Sequence, residues 1–223
     1  MKEMTTLQLA DNIFPSLHLT DTVAAALQLM NDTKSTHLPV VSEETFLGLI
    51  SENDLVDEEN KNLPLEVFQT NFISASVNAS FNFLKAATVY NLYQTNVIPV
   101  VNEKNELLGT ISSGALITAM GNFCGSSEFG ALVVLEMERT RFAISELNSI
   151  VESDGATILH LNVSPHPVPD LLEVTLQINK KEISTIIATF IRYEYSVLYY
   201  SGEELFENEI SLNYNNLMNY LQI

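Results

Sequence analysis

Ser51 and Asp54 stand three residues apart in the stretch GLISENDL (48–55). The apolar run before Ser51 reads as the end of a strand, so Ser51 would close that strand and open a helix. Free N–H groups and the positive end of the helix dipole at such a point suit a ligand oxygen. Asp54, one turn further on, would lie on the same face as Ser51. A carboxylate placed there can accept hydrogen bonds from both hydroxyls of a ribose. The same spacing also describes a capping box, in which the two side chains satisfy the helix's own N–H groups. Both roles can share the same residues. Residues 109–116 read GTISSGAL, which keeps Gly, Ile, Ser and Leu in frame and puts Ala115 where Asp54 stands. Ser112 retains the cap, but the acid is gone. A structural repeat tolerates that loss and a ribose site does not, so the sequence predicts an asymmetric pair in which at most the first copy is competent.

Other chemistry is poorly supplied. The histidines are His18, His37, His160 and His166, and none has a metal-binding spacing. Cys124 is the sole cysteine, with no recognisable base beside it, and reads as an inert thiol. There is no Gly-x-Ser-x-Gly, P-loop or Gly-x-Gly-x-x-Gly. GNFCGSSEFG (121–130) lacks the Lys-Ser/Thr ending of a P-loop and reads as a hinge. The acidic runs DEEN (57–60) and Glu43–Glu44 offer hard oxygen ligands, so a divalent-cation-responsive module is one alternative.

The formal charge of −18 makes nucleic acid and anionic membrane poor partners. Residues 1–124 hold 14 acids, five lysines and no arginine. A triphosphate in this half would lack neutralising partners unless Mg²⁺ came with it. A ligand of low negative charge, or a cationic one, suits this half of the chain better than a triphosphate. No apolar run approaches the length of a membrane span, and MKEMTTLQLADN has no apolar signal core. With one cysteine and no disulfide framework, the expected location is cytoplasmic.

The elements that would position Ser51 recur twice. HLPVVSEETFLGLISENDLV (37–56) aligns with VIPVVNEKNELLGTISSGALI (97–117), with one extra residue in the second turn. Upstream of the first, LHLT precedes a helical run with Val23, Ala26, Leu27 and Met30 on one face, capped by Asp21 or Thr22. Upstream of the second, ISASVN precedes a run periodic at Phe81, Leu84, Ala87 and Val89. Pro39 and Pro99 fit the start of a strand. Each copy is predicted as strand, helix, strand, strand, helix, with a polar connection over 57–66.

This doubled pattern, over roughly residues 5–122, resembles the CBS domain, which commonly occurs as tandem pairs. The resemblance implies two sheets packed together and two clefts that often take adenosine-containing ligands. Carried over position by position, Asp54 is the ribose contact and Ser51 lies near the nucleotide's polar groups. Leu38 and Pro39 line the base pocket, with His37 at its edge. The impaired second cleft is marked by Ile98, Pro99 and Ser112.

Residues 131–200 break the repeat. ALVVLEM, ATILHLNV, LLEVTLQI and SVLYYS read as strands. FAISELNSIVESDG and KKEISTIIATFIRYEY read as helices, the first burying Ile144, Leu147, Ile150 and Val151. Ser145 or the residues before it would cap that helix, and Gly155 would stop it. The order βαββαβ is the ferredoxin-like unit. This section resembles an ACT domain, a family that commonly pairs edge to edge. Amino-acid-binding ACT domains carry a Gly entering the first helix, where this chain has Phe142 after Arg139 and Arg141. Tyr214, Leu217, Met218 and Leu221 could form one face of a short terminal helix.

The expected fold is α/β (α+β): a CBS-domain pair (repeats 1–60 and 61–122), a linker (123–130), a ferredoxin-like βαββαβ (ACT-like) domain (131–202) and a tail (203–223). The order resembles acetoin-utilisation-type CBS regulatory proteins. It implies a non-enzymatic homodimer that requires no cofactor, binds an adenosine-type ligand and signals to an effector protein. The alternative is a constitutive dimeric scaffold with empty clefts.

Overall fold

A computed structural model describes residues 4–125 and 129–201. The chain divides into two compact units, Met1–Met120 and Gly121–Ile223. Residues 202–223, which carry the expected terminal helix, lie outside the described residues.

In the first unit a short helix α1 (Thr6–Leu9) leads into the first copy. That copy is β1 (Leu17–His18), α2 (Val23–Thr33), β2 (His37–Ser42), β3 (Thr45–Ser51) and α3 (Glu52–Val56). A 3-10 helix, Leu65–Asn71, leads into the second copy in the same way. That copy is β4 (Val77–Asn78), α4 (Leu84–Tyr93), β5 (Val97–Val101), β6 (Leu107–Ser112) and α5 (Ser113–Phe123). Each copy forms a three-stranded sheet in sequence order, with the first strand parallel and the third antiparallel to the middle one. Both sheets slip register at the same place, between Val40 and Val41 and between Val100 and Val101.

Local sequence explains most of this. Thr22 caps α2 by accepting from the Ala25 N–H at 3.2 Å, while Asp21 turns back to accept from the His18 N–H at 2.7 Å. Val23, Ala26 and Met30 are buried beneath α2 as their spacing predicts. In the second copy the face differs from the sequence reading. Phe81 lies in the turn before α4 and is 50% exposed, and Leu84 is also exposed. Phe83 and Ala86 are buried instead.

The leading segments cross over. Asp11, ahead of the first copy, exchanges two 2.8 Å backbone hydrogen bonds with Thr110 of β6. Ile73, ahead of the second copy, exchanges two 2.9 Å bonds with Leu49 of β3. Leu63, Leu65, Phe68 and Phe72 therefore pack on the first copy's core, and Leu9 and Ala10 pack on the second's. By packing, the connection after residue 60 is part of the first copy. Close backbone approach explains the glycines: a Cβ on Gly48 would lie 2.7 Å from the Phe72 Cβ, and one on Gly109 would lie 2.9 Å from the Asp11 carbonyl oxygen.

The second unit is β7 (Ala131–Glu138), α6 (Ile144–Ser153), β8 (Ile158–Pro165), β9 (Leu171–Ile178), α7 (Ser184–Arg192) and β10 (Ser196–Ser201). Its strands are antiparallel in the order β10-β7-β9-β8, the ferredoxin-like arrangement. Alternate residues of β7 and β9 pack with Leu147, Ile150 and Val151 of α6 and with Ile186, Ile187 and Phe190 of α7. Ile144 is not part of that face and is 56% exposed. Ala143, not Ser145, holds the cap position of α6, and it makes no side-chain cap bond. Gly155 ends the helix region with φ of 69°. The glycine-rich run expected to act as a hinge begins in helix, since α5 continues to Phe123.

Candidate functional site

The end of β3 turns directly into α3, with Ser51 at the cap position. Ser51 accepts from the Asp54 N–H at 3.2 Å. Asp54 Oδ2 accepts in return from the Ser51 N–H at 3.3 Å and from the Ser51 hydroxyl. The reciprocal capping box is thus formed. A free N–H cluster at this helix end, expected from the sequence, is not present. α3 has five residues, its Asp54 N–H is held by Ser51, and the Glu52 N–H donates to the Thr36 carbonyl at 2.9 Å.

Asp54 Oδ1 points to a residue the sequence reading missed. Asn71, at the end of the 3-10 helix, donates to it through Nδ2 at 3.0 Å. Partial burial pushes the Asp54 carboxyl up. Hydrogen bonds from Asn71 and Ser51, with His37 nearby, outweigh that and hold it below the ordinary carboxylate value. His37 is paired across the strands with Ser51. Burial pulls its pKa down and the Asp54 charge only partly restores it, so the imidazole is neutral at neutral pH.

His37 also ties the site to the second copy. Its Nδ1 lies 2.9 Å from the Thr36 hydroxyl, which donates to Asn96 Oδ1 at 3.0 Å. Asn96 Oδ1 accepts from the Thr36 N–H as well, at 3.0 Å, and Asn96 Nδ2 donates to the Lys34 carbonyl at 3.0 Å. The positions of Thr36 and Asn96 correspond in the two copies.

Leu38 is fully buried in the first core with Leu17, Val23, Met30 and Ile50. Its side chain is core packing and does not line a cleft, contrary to expectation. Ile98 is likewise sealed in the second core, and Pro39 and Pro99 are buried. At the second turn Ser112 accepts from the Ala115 N–H at 3.0 Å, and Ala115 itself packs against the second core. Two cavities in the first unit lie elsewhere: one of about 460 Å³ against Thr88, Asn91 and Leu92 of α4, and one of about 400 Å³ between Asn12–Ser16 and Leu107–Thr110.

Among the described residues, no three His, Cys, Asp or Glu side chains converge as a cation site requires. No helix among them is long and apolar enough to cross a membrane. Lys61, near the DEEN run, donates to the Leu55 and Val56 carbonyls at 3.1 and 2.7 Å, so its charge is used at the far end of α3.

In the second unit, Phe142 packs against the core. Arg141 donates to the Tyr193 carbonyl at 3.1 Å and sits 5.9 Å from the Tyr195 ring centre. Burial and a hydrogen bond to Glu146 push the Tyr195 phenol up to about 12, against the opposing pull of Arg141. The polar groups beside this loop are engaged with one another.

Residues 9–61 match the family model of the CBS domain. That segment contains Ser51, Asp54 and His37. The second copy repeats its element order and strand register. Solved structures similar to this chain include a CBS domain pair/ACT domain protein from Thermotoga maritima, 21% identical, covering 53% of this chain and 98% of that one with a TM-score of 0.48. A Vibrio cholerae protein assigned to acetoin utilization is 21% identical, with coverages of 53% and 91% and a TM-score of 0.45. CBSX2, solved in complex with AMP, is 23% identical, with coverages of 53% and 96% and a TM-score of 0.43.

Proposed function

We propose that this chain is a non-enzymatic regulatory protein of the CBS type. Its first copy takes the ribose of an adenosine-type ligand at Asp54, with Ser51 and His37 beside it. AMP, adenosine and S-adenosylmethionine are favoured over ATP. The observation that carries this reading is the Asp54 carboxylate. It is held below the ordinary carboxylate value in the first turn of α3, and copy two has no counterpart to it at Ala115. A carboxylate offers about four acceptor positions, and the capping box with Asn71 uses three of them. A ligand that binds the native state differently in two arrangements of the pair would shift their populations, and an effector protein would read the change.

The shared positions of Thr36 and Asn96 support such coupling, because the site's hydrogen bonds continue into the second copy. The lack of arginine in residues 1–124 supports a ligand of low negative charge. A thermal-shift panel of adenosine, AMP, ADP, ATP, NAD and S-adenosylmethionine, with and without Mg²⁺, tests the reading. One adenosyl compound should raise the midpoint by mass action, and Asp54→Ala should remove the shift. A flat panel would favour the second reading, a constitutive scaffold. That reading draws on the capping box, which alone gives Ser51 and Asp54 a structural role.

Dimerisation belongs to the same proposal. Strand β8 stands at the edge of the second unit's sheet with Leu159 and Val163 exposed, the kind of edge that pairs with another chain. Light scattering at micromolar concentration should give the mass of a dimer, and a monomer would refute this part.

A further inference from the structure

We infer that Asn71 is a latch on the Asp54 site, competing with the ligand's ribose for the same carboxylate oxygen. The inference rests on the ribose reading of Asp54. Asp54 Oδ2 is used by the N–H and hydroxyl of Ser51, which leaves Oδ1 as the outward acceptor. Asn71 Nδ2 occupies Oδ1 at 3.0 Å. One acceptor position then remains on that oxygen, whereas a vicinal diol needs two. Asn71 must swing aside before both ribose hydroxyls can bind.

The residue is built to do so. Asn71 is exposed, so its amide can exchange Asp54 for water at low cost. The chain that carries it is fixed: Phe72 packs on the first core and Ile73 pairs with Leu49. Only the side chain has to move. The amide is also oriented, since the Thr70 hydroxyl donates to its oxygen at 3.2 Å and leaves the NH₂ facing Asp54.

Register gives an independent argument. Ile73 and Asp11 are matched, because they pair with the matched residues Leu49 and Thr110. Two residues earlier in each leading segment stand Asn71 and Leu9, at the ends of the 3-10 helix and of α1. The first copy therefore has His37, Asp54 and Asn71 where the second has Val97, Ala115 and Leu9. All three polar groups occur together, and all three are absent together. The latch belongs to the acid-bearing site and not to the repeat's frame.

The test is calorimetric titration of the full chain with adenosine and with 2′,3′-dideoxyadenosine, for the native protein, Asn71→Ala, Asp54→Ala and the double variant. Asn71→Ala should bind adenosine about 3- to 10-fold more tightly, since the closed latch lowers the competent fraction. Dideoxyadenosine, which has no diol, should show no such gain, and the double variant should lose it. Equal or weaker adenosine binding by Asn71→Ala, with Asp54→Ala still abolishing binding, would overturn the latch and leave the ribose reading intact. No adenosine binding by native protein or Asn71→Ala would overturn both. Thermal melting of each variant confirms that it is folded.

Discussion

The first and second copies share a backbone frame and differ at the turn where chemistry could occur. Both close a hairpin of matched register, both place a serine at its end, and both use that serine hydroxyl to hold the N–H three residues on. Only the first returns the bond, because only the first has a carboxylate. In the first copy the neighbours of that carboxylate are His37 and Asn71. In the second the corresponding residues are Val97, which is fully buried, and Leu9, which packs on the core. The frame is therefore maintained by packing and backbone pairing, independently of the acid. The polar cluster is an addition to one copy of a frame that stands without it.

The largest expected effect tests the shared frame. Gly48→Ala and Gly109→Ala each force a Cβ into the crossing leading segment, at a φ of 156° and 155° respectively. Each should cost about 2–4 kcal/mol in denaturant unfolding, from backbone strain and overpacking together. Similar losses in the two copies would support a common frame. A loss confined to one copy would break the equivalence.

A smaller effect separates the two units by pH. His37 has its pKa lowered by folding, so the stability it contributes is complete above about pH 6.5 and falls as pH drops below that. Asp54 is also lowered, and its contribution is lost only below about pH 4, as pH falls through its folded value. Tyr195 has the opposite sign. Its pKa is raised to about 12, so the second unit should be stable up to about pH 10 and weaken as pH rises towards 12. Thermal melts across pH should show acid weakening of the first unit and alkaline weakening of the second. His37→Gln should flatten the profile below about pH 6.5. An unchanged profile would remove His37 from the site's electrostatics.

Much of the frame was legible from the sequence. The Pro-Val-Val and Gly-x-Ile-Ser runs gave both hairpins, since buried strands read as apolar runs and a repeated order confirms itself. The capping box was legible because Ser-x-x-Asp is a local signal. The crossed leading segments were not, because backbone pairing of Asp11 and Ile73 leaves little trace in residue type. Gly48 and Gly109 were the available signal, as glycines inside strands where another backbone approaches. Asn71 could not be found from spacing, because it reaches Asp54 from 17 residues away through a polar connection. The resemblance places Leu38 at a cleft, whereas alternation along β2 directs it into the core beside Val40. Spacing alone puts Phe81 and Ile144 on helical faces, but the helices begin at Leu84 and Ile144, which leaves Phe81 in a turn and Ile144 on the outer side of the first turn.

The most direct test of the asymmetry is the number of ligands bound per chain. Calorimetric titration of the native protein with adenosine should give one site per chain, and Asp54→Ala should remove it. Two equivalent sites per chain, or binding that survives Asp54→Ala unchanged, would contradict the proposal that only the first copy holds a ribose.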